Sequence, residues 1–461
     1  MSLMEFFTGK HLDRGLHVPE HKDLTSGLPI RRLPFAPMLV VPLSQHAGAA
    51  AIAIVHEGQE VVRGEPIAKA GGFVSVPMHS PVTGRVTKIA LAPTARGDLS
   101  MAIYITPYQA ASQEILYGAP QDIDNMTPEE IVAAVQNTGV VGLGGAAFPT
   151  HVKLKVPEGK KIDTVVVNGC ECEPYLTTDH RVMLEQPASV LQGARIVMRA
   201  LGAAKAVIGV EDNKMDAVAA LRDAIDADTE RRSMPSGSGD ITVEAVPAKY
   251  PQGAEKMLVK VLLGREIPTR GLPSDVGLAV FNVATLAQIG ELLPVRRGLI
   301  ERVVTITGPG VRKPGNYLVA LGTPLRWALE QADCNDQVAS VILGGPMMGP
   351  AVGSLDIPIT KGVTGILVLT HKEVNGRSRA DSHIWPCIHC AACVDVCPIH
   401  LNPSHLGMLA RKSRYEEMET EYHLMDCFEC ACCSYVCPSH IPLVQYFRVA
   451  KQMNRERKAR A

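Results

Sequence analysis

The sequence predicts a multidomain α/β protein. It has a β-rich first part, an α/β middle with a mostly parallel sheet, a second small β unit, and a helical module at the C-terminal end. Three observations predict this. Short apolar pairs separated by Gly and Pro turns fill residues 30–110, strand-like and helix-like segments alternate through the middle, and eight cysteines fall in two runs of equal spacing between Cys387 and Cys437. A chain of 461 residues is too long for one hydrophobic core and should divide into roughly three domains.

Composition narrows the setting. Apolar residues make up 46% and the net charge is -1, so no global field draws nucleic acid or an anionic surface. Met1 to Lys10 lacks the basic start and apolar core of a secretory signal. No uninterrupted apolar run reaches the length of about eighteen residues that spans a bilayer. A soluble or peripheral protein is expected, and twelve cysteines without a secretory signal point to a reducing compartment where thiolates serve metals.

The segments around Val55 to Ile67 and His79 to Ile89 place turn residues at regular intervals between short apolar pairs, which reads as a small all-β unit. The pattern resembles the lipoyl-type barrel-sandwich hybrid. No Lys stands on a hairpin tip in an Asp-Lys-Ala context, so the unit is expected to be structural or partner-facing rather than a carrier.

Helical signals begin at Thr127-Pro128-Glu129-Glu130, a capping box with Pro at the first helical position. Ile131, Val132 and Val135 follow, and Gly139 is the expected stop. Next comes Gly142-Leu-Gly144-Gly145-Ala-Ala147-Phe148-Pro149. Its Gly spacing imitates a dinucleotide fingerprint, but that fingerprint must leave a strand and open a helix, whereas here a helix leads in. Glycines still allow close backbone approach, and successive free N–H groups make an anion-binding nest.

A strand at 162–167 delivers Asn168, Glu171 and Glu173 into a loop, an unusual concentration of polar groups for a turn. A helix at 188–200, a strand at 206–210, a helix at 215–226, a Ser/Gly-rich loop at 233–239, a strand at 241–246 and a helix at 252–263 complete an α/β unit. Such alternation predicts a parallel sheet covered on both faces. Strands near 303–310 and 341–346 around a helix at 325–332 suggest a small β-grasp unit. A polar link, 371–382, then leads to the cysteine module, where one helix over 403–421 is expected to connect the two runs.

Those runs are C-x2-C-x2-C-x3-C-P written twice: Cys387, Cys390, Cys393, Cys397-Pro398, then Cys427, Cys430, Cys433, Cys437-Pro438. In bacterial two-cluster proteins the fourth Cys of each run ligates the other cluster. One [4Fe-4S] cluster is thus expected on Cys387, Cys390, Cys393 and Cys437, and a second on Cys427, Cys430, Cys433 and Cys397. Zinc and disulfides are the other readings; zinc sites usually pair two separated knuckles, and disulfides suit small secreted scaffolds. Cys170, Cys172, Cys334 and Cys432 are left as small buried hydrophobes, and His389 and His440 as polar neighbours. The tail Lys451 to Arg460 reads as a solvated helix end or a basic face for an acidic partner or lipid.

Taken together, Gly15 to Glu20, Gly142 to Lys153, Asn168 to Arg181, Tyr250 to Gly253, Phe281-Asn282-Val283 and the paired Cys runs resemble the C subunit of the Rnf/Rsx ion-translocating electron transport complexes, over essentially the whole chain. The middle is also similar to the NADH- and FMN-binding subunit of respiratory complex I, whose loop G-x-G-G-x-x-F-P-T-x-x-K cradles the flavin. The resemblance implies FMN phosphate and ribityl contacts from Gly142, Gly144, Gly145 and Lys153, and an aromatic contact from Phe148. It implies further contacts from Asn168, Tyr250, Gly253, Glu255, Asn282 and Thr285, with Glu171 and Glu173 beside flavin and nicotinamide. Ala254 departs from the complex I pattern, which is acidic there.

The implied domains are a barrel-sandwich-like unit (1–115), an FMN/NADH-binding α/β domain (120–300), an SLBB or β-grasp-like unit (301–370), a two-[4Fe-4S] ferredoxin-like domain (380–445) and a basic tail (446–461). The implied role is a peripheral NADH-oxidising subunit on the cytoplasmic side of a bacterial inner membrane. It would pass electrons from NADH through FMN and both clusters to partner subunits, among them a ferredoxin-like one. A soluble cobalamin reductase and a flavin-free electron wire share parts of this layout and remain alternatives.

Overall fold

A computed structural model describes residues 11–231, 240–335, 338–375 and 383–460. The expected loop at 233–239 and the last part of the polar link, 376–382, lie outside the described residues.

The first β unit is a pair of small sheets. One has four strands in the order Leu39–Pro42, Leu99–Pro107, Gly84–Pro93, Glu60–Val61, and the other has three, Ile52–Ala53, Pro66–Lys69 and Met78–His79. Leu39, Ile67, Met78, Val86 and Ile103 meet in its interior.

The helix Pro128–Thr138 forms as its capping box requires. Thr127 Oγ1 accepts from the Glu130 N–H at 3.3 Å and the Glu130 carboxylate accepts from the Thr127 N–H at 2.7 Å. It ends at Gly139 in the left-handed region, φ 71°.

The middle sheet has four strands in the order Ile241–Val246, Lys205–Glu211, Thr164–Gly169, Leu278–Asn282, every neighbouring pair parallel. Val165, Val166 and Val167 are all fully buried, as expected of a parallel strand covered on both faces. Helices Pro187–Leu201 and Val283–Leu292 cover one face and Glu255–Leu263 the other. That last helix starts three residues later than expected, because residues 250–253 form a turn before it.

The third unit is a five-stranded mixed sheet backed by the helix Leu325–Gln331. Its edge strand, Arg31–Arg32, comes from the start of the chain and pairs in parallel with Gly315–Ala320. In the cysteine module two helices, Pro403–Arg411 and Tyr415–Thr420, stand where a single one was expected. The chain breaks between them at Ser413, φ 54°, a conformation that costs a non-glycine residue about 1–2 kcal/mol. A long helix, Leu443–Arg460, packs across both, burying Phe447 and Ala450 with Leu406 and Met418. Its basic residues Lys451, Arg457 and Lys458 pair with Glu429, Glu416 and Glu419 of the same module.

Candidate functional site

The middle sheet changes direction at its first strand. From Thr164–Gly169 the chain steps outward to Lys205–Glu211 and Ile241–Val246, then returns to the opposite side for Leu278–Asn282. In parallel sheets the crevice outside the carboxyl ends of the strands, at such a switch point, is where ligands bind. Asn168 and Asn282 occupy this point as register partners at the ends of their strands. Asn168 Nδ2 donates to the Gly253 carbonyl at 2.8 Å, and Asn282 Nδ2 donates to the Asp179 carboxylate at 2.6 Å.

The Gly loop hangs over Asn282. It is a closed turn: Gly142 N–H donates to the Phe148 carbonyl at 2.8 Å and Ala147 N–H to the Gly142 carbonyl at 3.0 Å. Leu143 is gripped from two directions. Its N–H donates to Thr285 Oγ1 at 2.9 Å, and its carbonyl accepts from the guanidinium of Arg302 at 3.1 Å. Gly145 has φ 106°, open to Gly alone, with no atom within 4 Å of where a Cβ would stand. The N–H groups of Gly144, Gly145 and Ala146 donate to no backbone carbonyl of the described residues. Successive N–H groups left without a backbone acceptor in this way can make an open nest that takes anions. Lys153, on the helix Thr150–Leu154 that follows, is partly exposed, 3.4 Å from the Glu255 carboxylate and donating to the Val280 carbonyl at 3.2 Å.

The acidic loop is turned inward. The Glu171 carboxylate accepts from the N–H groups of Asp179 (3.0 Å) and His180 (3.2 Å), at the start of the helix Thr178–Glu185. Glu173 accepts from Met347 and Met348 N–H at 3.1 and 2.9 Å, and burial pushes its pKa up to about 7 against those two bonds. Tyr250 is buried, and its hydroxyl donates to the Cys430 carbonyl at 2.8 Å. A Cβ at Gly253 would fall 2.3 Å from the Cys170 carbonyl, so only glycine allows this loop to pack against the acidic one.

Several residues that sequence reasoning did not single out complete the site. Asp179 is pushed up to about 7, by burial first and then by the charge of Glu171. Arg302, fully buried, has its pKa lowered to about 10 by burial, with Asp179 opposing. Lys22, from the N-terminal segment, donates to the carbonyls of Glu171 (2.7 Å), Glu173 (3.0 Å) and Leu176 (2.5 Å). Burial lowers its pKa. A lone Arg inside an apolar strand was the signal for Arg302; Lys22 carries no such signal.

In the module, one cavity is lined by Cys387, Cys390, Cys393 and Cys437, the other by Cys397, Cys427, Cys430 and Cys433. The fourth thiol of each run thus crosses to the other cavity. Both loops repeat the same left-handed residues, Ala391 and Ala431, His389 and Glu429, His400 and His440. Such conformations persist where the surroundings over-determine them. Among the described residues no three His, Cys, Asp or Glu converge on one bare ion. Four thiols spread around each apolar cavity fit a larger group held at separate corners. Cys432 also lines the second cavity, whereas Cys170 lies against the Gly209 carbonyl and Cys172 receives the Gly253 N–H at 3.4 Å.

Sequence models of known families match in chain order. They are the RnfC barrel sandwich hybrid domain over residues 10–109, the Nuo51 FMN-binding domain over 135–291, the SLBB domain over 303–351 and the 4Fe-4S dicluster domain over 386–441. The chain is 41% identical to the C subunit of the proton-translocating ferredoxin:NAD(+) oxidoreductase complex of Clostridium ljungdahlii, covering 96% of this chain and 93% of that one. It is 39% identical to the C subunit of the Na(+)-translocating ferredoxin:NAD(+) oxidoreductase complex of Acetobacterium woodii, covering 88% of each. Among solved structures, an NAD+-reducing [NiFe]-hydrogenase in the H2-reduced state aligns with TM-score 0.52 at 18% identity, over 74% of this chain and 68% of that one. That last likeness is one of fold.

Proposed function

We propose the following role for this chain, which belongs to the family of the C subunits of ion-translocating ferredoxin:NAD(+) oxidoreductase complexes. It is the pyridine-nucleotide-facing subunit of such a complex, an NADH-dependent oxidoreductase that works through FMN and two [4Fe-4S] clusters. The observation that carries this reading is the open nest of Gly144, Gly145 and Ala146 at the sheet's switch point.

The nest offers three N–H donors to the FMN phosphate, with Gly142 fixing the turn, and Lys153 adds positive charge beside it. Phe148 supplies an aromatic face. Asn168, Asn282 and Thr285 hold the floor, and the Tyr250–Gly253 turn with Glu255 forms the far wall. When bound, FMN takes two electrons from NADH and releases them singly. Glu171 orders the helix below the crevice, and Glu173 presents a carboxyl whose protonation lies near neutrality. The two four-thiol cavities hold the clusters, through Cys387, Cys390, Cys393 and Cys437 and through Cys397, Cys427, Cys430 and Cys433.

Among the described residues no helix is long and apolar enough to cross a membrane. Attachment to the membrane complex runs through partner subunits, one of them ferredoxin-like. NADH as substrate and reduced thiols favour the cytoplasmic side of a bacterial inner membrane.

The test is anaerobic purification with cluster reconstitution, then flavin and iron analysis and titration with NADH. Bound FMN, cluster absorption and bleaching by NADH are expected. Protein that holds clusters yet takes up no flavin and ignores NADH would overturn the reading.

A further inference from the structure

The module joins the rest of the molecule unevenly. Tyr250 belongs to the turn whose Gly253 carbonyl accepts from Asn168, and its hydroxyl reaches the carbonyl of Cys430. A second strut runs from Glu173 to the Met347 and Met348 N–H groups. From there Arg448 donates to the Met348 carbonyl at 3.3 Å and to Glu429 at 2.9 Å, between Cys427 and Cys430. A third comes from the helix opened by Glu255: Lys256 lies 3.6 Å from Asp426, which also accepts from the Arg270 N–H at 3.1 Å. All three end on the short stretch from Asp426 to Cys430, at the start of the second cysteine run.

The other cavity faces away. Cys390 is exposed, and Ile384, Trp385 and Ile388, beside its thiols in sequence, are 47, 49 and 66% exposed. The described bond from outside the module near this run is Arg14 to the Val394 carbonyl, and Arg14 belongs to the N-terminal segment rather than to the crevice.

We propose that the set Cys397, Cys427, Cys430 and Cys433 is the inner relay station, coupled to the crevice through Tyr250, and that the set Cys387, Cys390, Cys393 and Cys437 is the outer one, whose exposed apolar rim meets the electron-exchanging partner. The proposal rests on the cofactor reading above. The electrons balance: NADH oxidised to NAD+ would give its hydride to the flavin of that reading, the two electrons would leave one at a time through the inner set to the outer set, and the proton would go to water. The reverse flow passes the same two stations from the outer set to the inner one.

Cys430→Ala and Cys390→Ala variants, each reconstituted anaerobically, separate the two stations. Electron exchange of the surviving cluster is followed by EPR, adding NADH to oxidised protein and NAD+ to dithionite-reduced protein. In Cys390→Ala the surviving inner cluster exchanges with the nucleotide. In Cys430→Ala the surviving outer cluster still reduces with dithionite, but its exchange with nucleotide slows by more than an order of magnitude. The opposite pattern, or equal exchange in both variants, overturns the order.

Should Cys430→Ala take up no iron, the unsubstituted protein decides. Dysprosium-EDTA, which stays in solvent, should speed the relaxation of the cluster signal that Cys390→Ala removes and spare the other. The reverse selectivity overturns the proposal. The cofactor reading fails separately, through unsubstituted protein that holds no flavin or no iron, whereas the order fails with both in place.

Discussion

In the cysteine module every thiol comes from one stretch between Cys387 and Cys437, while the crevice at the sheet ends is assembled from Lys22, Leu143, Asp179, Gly253, Asn282 and Arg302. The module is an internal repeat whose two loops share their left-handed turns. The crevice is held by buried charges that reach across domains. A site built locally should fail locally, and a site built from distant parts should fail through any of them.

The largest test of that contrast is Phe447→Ala. Phe447 is fully buried in the module's core and lines the second cavity. Removing its ring should cost about 3–5 kcal/mol. Reconstituted iron per chain should fall while flavin content is retained. Equal loss of flavin would mean that the two regions stand or fall as one unit.

The counterpart is Arg302→Met. It strips the Leu143 and Lys361 carbonyls of a donor and leaves the Asp179 carboxylate without its buried cation. The expected loss is about 3 kcal/mol of stability, with flavin affinity reduced more than tenfold (~1.4 kcal/mol) and iron content kept. Fluorescence titration of flavin against the variant, with iron analysis beside it, reads both. An unchanged flavin affinity would show that the nest needs no clamp from the third unit.

The same contrast explains what was legible in the sequence. That Cys397 and Cys437 each line the other run's cavity was expected from the spacing of the runs and the two-cluster pattern it matches, both confined to a short stretch. The Thr127 capping box and its Gly139 stop were equally local. Lys22 was not legible, and the lone Arg302 in its apolar strand marked a position but not a partner, since each acts on a backbone carbonyl more than a hundred residues away and carbonyls carry no sequence identity. The division of the 403–421 helix at Ser413 lacked any Gly or Pro to announce it. Glu171 and Glu173 were visible as a pair, yet their division of labour was not: one orders a helix start, the other holds the Gly345–Met348 turn.

That division gives the crevice a pH signature. Burial raises the pKa of Glu173 from 4.5 to about 7, so the folded protein binds its proton more tightly than the unfolded chain. Its contribution to stability is therefore fully present below pH 4.5 and is lost as pH rises through about 7, by roughly 3 kcal/mol at most across that window. Asp179 acts in the same direction. Glu173→Gln should flatten this slope in urea unfolding of flavin-free protein between those pH values. A slope that survives the substitution would move it to the other carboxyls that burial holds up, Asp179 and Glu291.

The smallest effect on stability separates binding from building. Lys153 is 38% exposed and stands 3.4 Å from a carboxylate of equal exposure, Glu255. Exposed pairs of this kind contribute about 0–1 kcal/mol. Lys153→Met should therefore leave the urea midpoint nearly where it was, keep the iron content, and spare the Gly142 turn, whose bonds are all to other groups. If its charge serves the phosphate in the nest, flavin affinity should fall about tenfold (~1.4 kcal/mol), and the loss should shrink as salt is raised. Riboflavin, which has no phosphate, should bind both forms alike. A loss of equal size with riboflavin would move Lys153 away from the phosphate and onto the rest of the ligand.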